Sequence, residues 1–271
     1  MTPTYRVLSL DWDYFIAATA DQRIRLFPDG GNENLPGVLS DFIWASKYAE
    51  NSELQSIEED APAINYILNF IRQTCDGTTK MFVYDSHKWA YNCITEYKPI
   101  GHNLQVINVD FHHDCYTMNE GIDCGNWLIN LVNLPDVDKF QAIWVKRPDS
   151  DDCYCIDDVS FIKGKVKNGQ PEFLQSAFIG DLYKFKKLHF DMVYICRSSC
   201  WSAPHLDSAF LGFCNLCRKY INGGYFMEDD LEDRYNSNFI HNVQETAKAY
   251  QFVKAQCIKE HNNNEKEHER A

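Results

Sequence analysis

The feature that most constrains this chain is a cluster of acidic and histidine side chains that directly follows a short apolar run. Residues 104–109 (Leu-Gln-Val-Ile-Asn-Val) are typical of a buried strand, and Asp110, His112 and Asp114 follow it at alternate positions. Groups of this kind crowded at one strand end repel one another or go unsatisfied unless a cation lies between them. The pattern therefore predicts a divalent metal site, and the alternative is a solvated loop whose charges face water.

Two further apolar runs end in the same way. The run from Tyr5 to Leu10 leads directly into Asp11 and Asp13, and the run from Lys80 to Tyr84 is followed by His87. In an open α/β sheet, ligands bind beyond the carboxyl ends of the strands, so three such ends fit one shared site. Taken alone, the Asp-x-Asp pair also suits a turn or a helix cap, and a single histidine is more often a structural hydrogen-bonding group.

The order of apolar patterns along the chain predicts an α/β fold with a mainly parallel sheet and helices on both of its faces. No linker divides the chain, so we expect one domain over residues 1–260 and a polar, disordered tail over 261–271. The predicted strands cover residues 5–10, 80–84, 104–109, 140–146 and 188–196, and the predicted helices cover 39–48, 62–71, 88–97, 207–220 and 243–260.

Composition narrows the classes of partner. The formal net charge of −13 argues against nucleic acid and anionic membranes as partners, because both require a basic surface, and it suits a cationic substrate. No run approaches the ~20 apolar residues of a membrane span, and the first residues lack the apolar core of a signal peptide. Together with an odd number of cysteines, 11, this predicts a cytoplasmic protein with reduced thiols.

One pair of cysteines allows two interpretations. Cys214 and Cys217 have the spacing of half a structural zinc site, but they lie within a helical pattern and lack a suitable second pair. Buried free thiols on one helix are the favoured interpretation.

The candidate ligands indicate which metal to expect. Four aspartates and two histidines form an oxygen-rich set, which favours manganese over a single zinc. One ion cannot take six such side chains and keep an open position, whereas two ions that share carboxylates can. A pair of ions also lowers the pKa of a shared water, so that hydroxide is available at neutral pH. The residues in this set are Asp11, Asp13, His87, Asp110, His112 and Asp114.

These motifs resemble those of arginases and related ureohydrolases over roughly residues 7 to 204. The resemblance is based on three motifs: Asp-x-His-x-Asp after a strand, a preceding Asp-x-His, and Asp-x-Asp at a strand end. Asn126-Trp127, shortly after the second motif, resembles a narrower group, the peptide arginases, which convert arginine to ornithine within ribosomally made peptides. The resemblance implies a three-layer arginase/deacetylase-like fold. Because the Asp-x-Asp strand comes last in arginases and first here, it also implies a circular permutation.

The resemblance implies roles for individual residues. Asp110 and Asp11 would bridge two Mn²⁺ ions, His87 and Asp114 would complete one site, and His112 and Asp13 the other. A bridging hydroxide would attack the guanidinium carbon of an arginine in a precursor peptide, giving ornithine and urea. Asp114 would hydrogen-bond the hydroxide and pass its proton to the leaving amine.

Other polar residues are candidates for the remaining tasks. The histidine that arginases use as a proton shuttle has no clear equivalent, and His113, Asp123 and Glu120 are its candidate replacements. Because a guanidinium is cationic and offers five N–H donors, its recognition needs carboxylates that are not bound to metal. Glu120 and Asp123 are candidates for this, with Asn126 as a further substrate-binding residue. The acidic segment 228–233 is another candidate, although a solvated surface is the favoured interpretation of that segment.

Several alternatives stay open at this point. A hydrolase of the same fold could act on a free guanidino compound, or on an acetylated amine with one zinc and fewer carboxylates. A metallophosphoesterase also uses Asp-x-His, but the chain has no Gly-Asn-His-Asp or Gly-Asn-His-Glu segment. A non-catalytic interaction protein could keep a metal for stability alone.

Overall fold

A sheet of seven strands, each parallel to its neighbours, forms the centre of the protein. The computed structural model describes residues 2–28, 37–116, 121–150, 166–167, 170–171, 173–229 and 231–268. Across the sheet the order is β7-β4-β3-β1-β8-β2-β9, and β5 pairs with β6 in a separate antiparallel hairpin. The strands are β1 (Thr4–Asp11), β2 (Lys80–Tyr84), β3 (Asn103–Val109), β4 (Phe140–Val145), β5 (Val166–Lys167), β6 (Gln170–Pro171), β7 (Leu174–Ala177), β8 (Met192–Cys196) and β9 (Tyr225–Met227).

Helices connect the strands, and their ends follow local sequence signals. The Asp60 side chain accepts a hydrogen bond from the Ala63 amide, and Pro62 lies in the first turn, so α3 begins where a cap and a proline favour it. The helices are α1 (Ala20–Leu26), α2 (Gly37–Glu50), α3 (Ala61–Thr74), α4 (Trp89–Tyr97), α5 (Trp127–Asn130), α6 (Asp207–Arg218) and α7 (Ser237–His268).

The two faces of the sheet belong to two separate apolar cores. Leu8 and Leu10 of β1 point into a core that contains side chains from α2, α3, α6 and α7. Val7, on the opposite face of the same strand, belongs to a core that contains side chains from α4 and α5. Successive residues of a strand face opposite sides, so a strand covered on both faces is apolar at nearly every position. The predicted α/β fold with a parallel sheet and helices on both faces is confirmed.

The structure differs from the sequence-based elements in several places. Helix α7 extends to His268, past the predicted boundary at 260, and therefore includes residues 261–268 of the predicted tail. No glycine or proline interrupts that polar stretch, and nothing in it stops a helix. Residues 269–271 lie outside the described residues. Strand β8 begins only at Met192, and the short edge strands β7 and β9 were not predicted because they offer too few residues for a periodic pattern.

Cys214 and Cys217 are both buried in the core face of α6. Both are free, and burial raises the pKa of each thiol. Neither belongs to a group of candidate metal ligands among the described residues. The interpretation as buried thiols is therefore favoured over structural zinc. None of the helices in the described part of the chain combines the length and the apolar character that a membrane crossing requires.

Candidate metal centre

The strand ends that carry the predicted ligands are neighbours at the middle of the sheet. Strand β1 lies between β3 and β8, and β2 lies on the other side of β8. Because all four strands are parallel, their carboxyl ends meet at one edge. Asp11 is the last residue of β1, Asp110 directly follows β3, and His87 lies in the turn between β2 and α4. The structure thus brings together side chains that are far apart in sequence, and all six predicted ligands lie at this edge.

One imidazole nitrogen lies among three carboxylates. His87 Nδ1 is 3.1 Å from Asp11 Oδ2, 3.2 Å from Asp110 Oδ2 and 3.1 Å from Asp114 Oδ2. The other nitrogen of this ring, Nε2, is 2.6 Å from the Ser9 hydroxyl. A hydrogen bond on one ring nitrogen of a histidine fixes the orientation in which the other can bind a metal. All four groups are buried, and they form the first half of the centre.

The second half is built around His112. Its Nδ1 lies 3.3 Å from Asp13 Oδ2 and 3.9 Å from Asp110 Oδ1. Asp110 therefore directs one carboxylate oxygen toward each histidine, and it belongs to a group of potential ligands in each half. Asp13 is fully buried, whereas a quarter of the His112 side chain is exposed. A carboxylate between two such groups has the placement of a bridging ligand.

Two buried atoms without a hydrogen-bond partner among the described residues allow a test of whether metal fits this centre. His87 Nδ1 and Asp13 Oδ2 are buried and make no hydrogen bond with any described residue, although each lies close to opposing ligand atoms. Buried polar atoms are nearly always satisfied, because an unsatisfied one costs about 1–3 kcal/mol. One such atom lies in each half of the centre. A divalent cation bound beside each atom would satisfy it, so the residues present fit bound metal.

The pKa values of the carboxylates reflect their crowding. Burial, with the charges of Asp13 and Asp110, raises the pKa of Asp11 to about 7. Burial, with the charges of Asp114 and Asp13, raises the pKa of Asp110 to about 8. Burial also opposes the charged forms of His112 and Asp13, but the close approach of the two groups and the attraction between their opposite charges outweigh it. They raise the pKa of His112 to about 10 and lower that of Asp13. The four carboxylates of the centre therefore carry more negative charge than its two imidazoles can neutralise.

Side chains around the ligands hold them in place. The Asn108 amide donates to Asp110 Oδ2 at 3.2 Å and to Asp114 Oδ2 at 3.3 Å, and the Trp127 indole donates to Asp114 Oδ2 at 2.6 Å. The Ser198 hydroxyl donates to Asp11 Oδ2 at 2.6 Å. Sequence reasoning did not assign these roles. A signal for one of them was present, since Asn108 is a polar residue inside a buried strand, two positions before a ligand and on the same face.

Two residues of the centre adopt left-handed backbone conformations. Asp114 has φ of 54° and Ser198 has φ of 52°, and these are the only such non-glycine residues in the described part of the chain. Aspartate tolerates this region better than most residues, and serine does so less readily. Strained backbone of this kind concentrates at functional sites, where surrounding contacts maintain it. Here both turns direct an oxygen atom into the same cluster.

A cleft of about 270 Å³ opens onto the centre. Four of the six predicted ligands line it, and the remaining walls come from two loops and include two aromatic rings. The lining residues are Asp11, His87, His112, Asp114, Tyr116, Cys124, Gly125, Ser198 and Trp201. This volume lies just below the ~300–1,000 Å³ of typical ligand pockets, so the cleft suits one side chain or a small molecule.

Three of the other predicted site residues lie elsewhere. His113 is fully buried, its Nδ1 accepts a hydrogen bond from the Cys115 amide, and its ring packs against Trp144. Asp123 accepts a hydrogen bond from the Gly125 amide, and the Asn126 side chain bonds to the backbone of Asp123 and Gly121. None of the three lines the cleft in this structure, and these contacts of their polar atoms hold the loop. Their assigned roles, His113 and Asp123 as candidate proton shuttles and Asp123 and Asn126 in substrate binding, stay predictions. Glu120 lies outside the described residues.

The acidic segment 228–233 contributes to a second, more polar cavity of about 210 Å³. Glu232 and Asp233 line it, Glu228 accepts a hydrogen bond from the Asp85 amide, and Asp230 lies outside the described residues. Behind it, the buried carboxylate of Asp207 pairs with two arginines, Arg197 and Arg234. This ion network supports the loop after β8, because the Arg234 guanidinium also donates to the carbonyls of Ser199 and Ser202.

The Cys196 thiol is a further group near the centre. Its sulfur and ligand atoms of Asp11 and His87 all lie within 4.8 Å of one another, and it donates a hydrogen bond to the Asp85 carbonyl.

No known protein family, curated protein or solved structure matches this chain.

Proposed function

We propose that the protein is a manganese-dependent hydrolase of the arginase type that acts on arginine within a peptide and releases urea. The observation that carries this proposal is the geometry of Asp110, whose two carboxylate oxygens face His87 and His112 from between the two halves of the centre. The six side chains that match the arginase motifs meet at one edge of the sheet, where Asp110 is grouped with His87 and Asp114 on one side and with Asp13 and His112 on the other. Two Mn²⁺ ions bound there would supply hydroxide at neutral pH for attack on the guanidinium carbon.

The residues of the chain would divide the work as follows. His87, Asp11, Asp110 and Asp114 would hold one ion, and His112, Asp13 and the shared carboxylates the other. The reaction consumes one water: the C–N bond to the side-chain nitrogen breaks, urea leaves, and that nitrogen becomes the protonated amine of ornithine. Asp114 lines the cleft and would accept the proton of the attacking water and return it to the leaving amine.

The form of the cleft supports a guanidinium side chain as the substrate. Its volume suits one extended side chain. A peptide backbone would stay outside such a cleft. The net charge of the whole chain, −13, also favours a positively charged substrate.

The proposed arginase-type fold requires that one motif has moved along the chain. The Asp-x-Asp strand β1 comes first in sequence, yet in the sheet it lies directly beside β3, which carries the Asp-x-His-x-Asp motif. We propose a circular permutation, because neighbouring parallel strands can be cut and rejoined without moving the site.

The test is mass spectrometry of an arginine-containing peptide incubated with the protein and Mn²⁺. We expect the mass loss of arginine becoming ornithine, together with stoichiometric urea. Asp110→Asn should abolish both, whereas Asp76→Asn, an exposed carboxylate far from the cleft, should leave both unchanged. Release of urea from free arginine or agmatine, without conversion of arginine in peptides, would support the proposed reaction but identify a different substrate. No urea from any guanidine would overturn the proposal and favour a deacetylase or a non-catalytic protein.

A further inference from the structure

Among the residues that the structure describes, those that line the cleft outside the metal centre carry no charged side chain. Among the residues that line it, those outside the metal centre are Tyr116, Cys124, Gly125, Ser198 and Trp201. Of the two carboxylates assigned to substrate binding from the sequence, Asp123 does not line the cleft and accepts a hydrogen bond from the backbone of its own loop, and Glu120 lies outside the described residues. If the carboxylates of the centre are occupied by metal, a cationic substrate needs another partner. Among the described residues of these walls, the two aromatic rings offer the flat faces on which a planar cation can stack.

Trp201 lies where a substrate over the second half of the centre would contact it. Its ring centroid is 4.9 Å from that of His112, at an interplanar angle of 51°. The loop that carries it is held by a hydrogen bond from the Trp201 amide to the Ser198 carbonyl at 2.8 Å. The left-handed backbone of Ser198 forms the same turn. The Ser202 hydroxyl also donates to the Arg197 carbonyl, so the indole is presented by an ordered turn.

Tyr116 supplies a second aromatic wall from the loop after β3. Its ring packs on His113 with a centroid separation of 4.4 Å, and its amide donates to the Gly125 carbonyl. A Cβ atom at Gly125 would lie 2.9 Å from Tyr116 Cδ2, so only glycine leaves room for the ring in this position. The sequence therefore keeps a large aromatic ring at the cleft by omitting a side chain beside it.

We propose that Trp201, together with Tyr116, forms an aromatic recognition surface for the planar guanidinium of the substrate. This inference rests on the proposed function and names the residues that select its substrate. An indole face attracts a cation within about 6 Å of its centroid, and a flat guanidinium also stacks on it. A lysine ammonium is compact and strongly hydrated, so the same surface favours arginine over lysine.

The kinetic test compares Trp201→Leu, which keeps apolar bulk without an aromatic face, with Trp201→Phe, which keeps a ring. On an arginine peptide with Mn²⁺, we expect Trp201→Leu to raise KM about tenfold with a much smaller change in kcat, and Trp201→Phe to recover most of the loss. Trp89→Phe is the matched control, because Trp89 is partly exposed on α4 and does not line the cleft. Equal KM values for all four proteins would overturn the inference.

A binding measurement separates this inference from the proposed reaction. In the protein loaded with Mn²⁺, fluorescence polarisation read at 4 °C in the first seconds after mixing measures the affinity for labelled arginine and lysine peptides before substantial turnover. We expect tighter binding of the arginine peptide, and Trp201→Leu should remove that preference. If the preference depends on Trp201 but the wild-type protein releases no urea, the recognition surface stands and the proposed reaction fails. If urea is released but Trp201→Leu weakens both peptides equally, or neither, the recognition surface is refuted.

Discussion

In the absence of divalent cations, the stability of this protein should depend strongly on pH. Without bound cations, burial and the neighbouring carboxylates raise the pKa of Asp11 from 3.8 to about 7. Between these values the folded protein binds more protons than the unfolded chain. The free energy of unfolding therefore falls as the pH rises through this window.

The size of the effect follows from the pKa values. At about 1.4 kcal/mol for each tenfold change in proton affinity, Asp11 alone lowers the free energy of unfolding by about 4 kcal/mol between roughly pH 4 and pH 7. For a chain of this size this corresponds to a fall in Tm of roughly 10 °C. Asp110, with a pKa of about 8, acts in the same direction. His112 extends this pH range upward. Because its pKa is raised to about 10, its contribution to stability is fully present below about pH 6.5 and is lost as the pH rises toward 10.

Thermal unfolding followed by circular dichroism at pH 5, 6, 7 and 8 measures this effect, once with a chelator and once with Mn²⁺. We expect Tm to fall steeply with pH in chelator and to stay nearly level with Mn²⁺, because a bound cation lowers the pKa of its carboxylate ligands. Asp11→Asn should flatten the chelator profile. The control Asp136→Asn should not, since Lys98 lowers the pKa of Asp136. A Tm that is level or rises from pH 5 to pH 8 in chelator would refute the reasoning.

Two further substitutions test the groups around the centre. Trp127→Phe removes the 2.6 Å hydrogen bond to Asp114 and should weaken Mn²⁺ binding about 10–100-fold by calorimetry; unchanged affinity would show that the indole serves packing alone. Arg234→Met removes one of the two guanidinium partners of buried Asp207 and should lower stability in urea by about 3–5 kcal/mol. Arg25→Met, at an exposed ion pair, should lower the free energy of unfolding by no more than about 1 kcal/mol. Equal losses in both variants would contradict the argument that burial makes an ion pair costly to break.

The parallel sheet and the ligand cluster could be predicted because they depend on repeated local patterns. Each of the strands β1, β2 and β3 is a short apolar run with polar ligands immediately after it, and a parallel sheet places such ends at one edge. Asp110, His112 and Asp114 lie within five residues directly after β3, so they could be expected at one strand end. Their convergence depends on the turn in which Asp114 has a left-handed backbone. The elements beyond this pattern, such as β7 and β9, are two to four residues long and are defined by their partners in the sheet.

The walls of the cleft could not be predicted because they depend on loop geometry. Asp123 and Asn126 have the chemistry of substrate ligands, but their side chains are used by the backbone of their own turn, a competition that is common for these residue types. Trp201 lies in a small polar loop whose direction depends on the left-handed backbone of Ser198 and on Arg234, a residue from a distant segment. No periodic pattern encodes such contacts.

The charge of the centre implies that protons and divalent cations compete for the same atoms. Four buried carboxylates face two imidazoles, and the nearby buried guanidinium of Arg23 donates to backbone carbonyls of residues 13 and 16 rather than to the carboxylates. Protonation of Asp11 and Asp110 relieves the repulsion at low pH, and metal relieves it at high pH. Because the raised pKa values lie at about 7 and about 8, the exchange takes place near neutrality. Affinity for Mn²⁺ should therefore fall progressively as the pH is lowered from 8 to 6, with protons released on binding. Calorimetric titrations in two buffers of different ionisation enthalpy would count those protons, and binding without proton release at pH 7 would contradict this account of the centre.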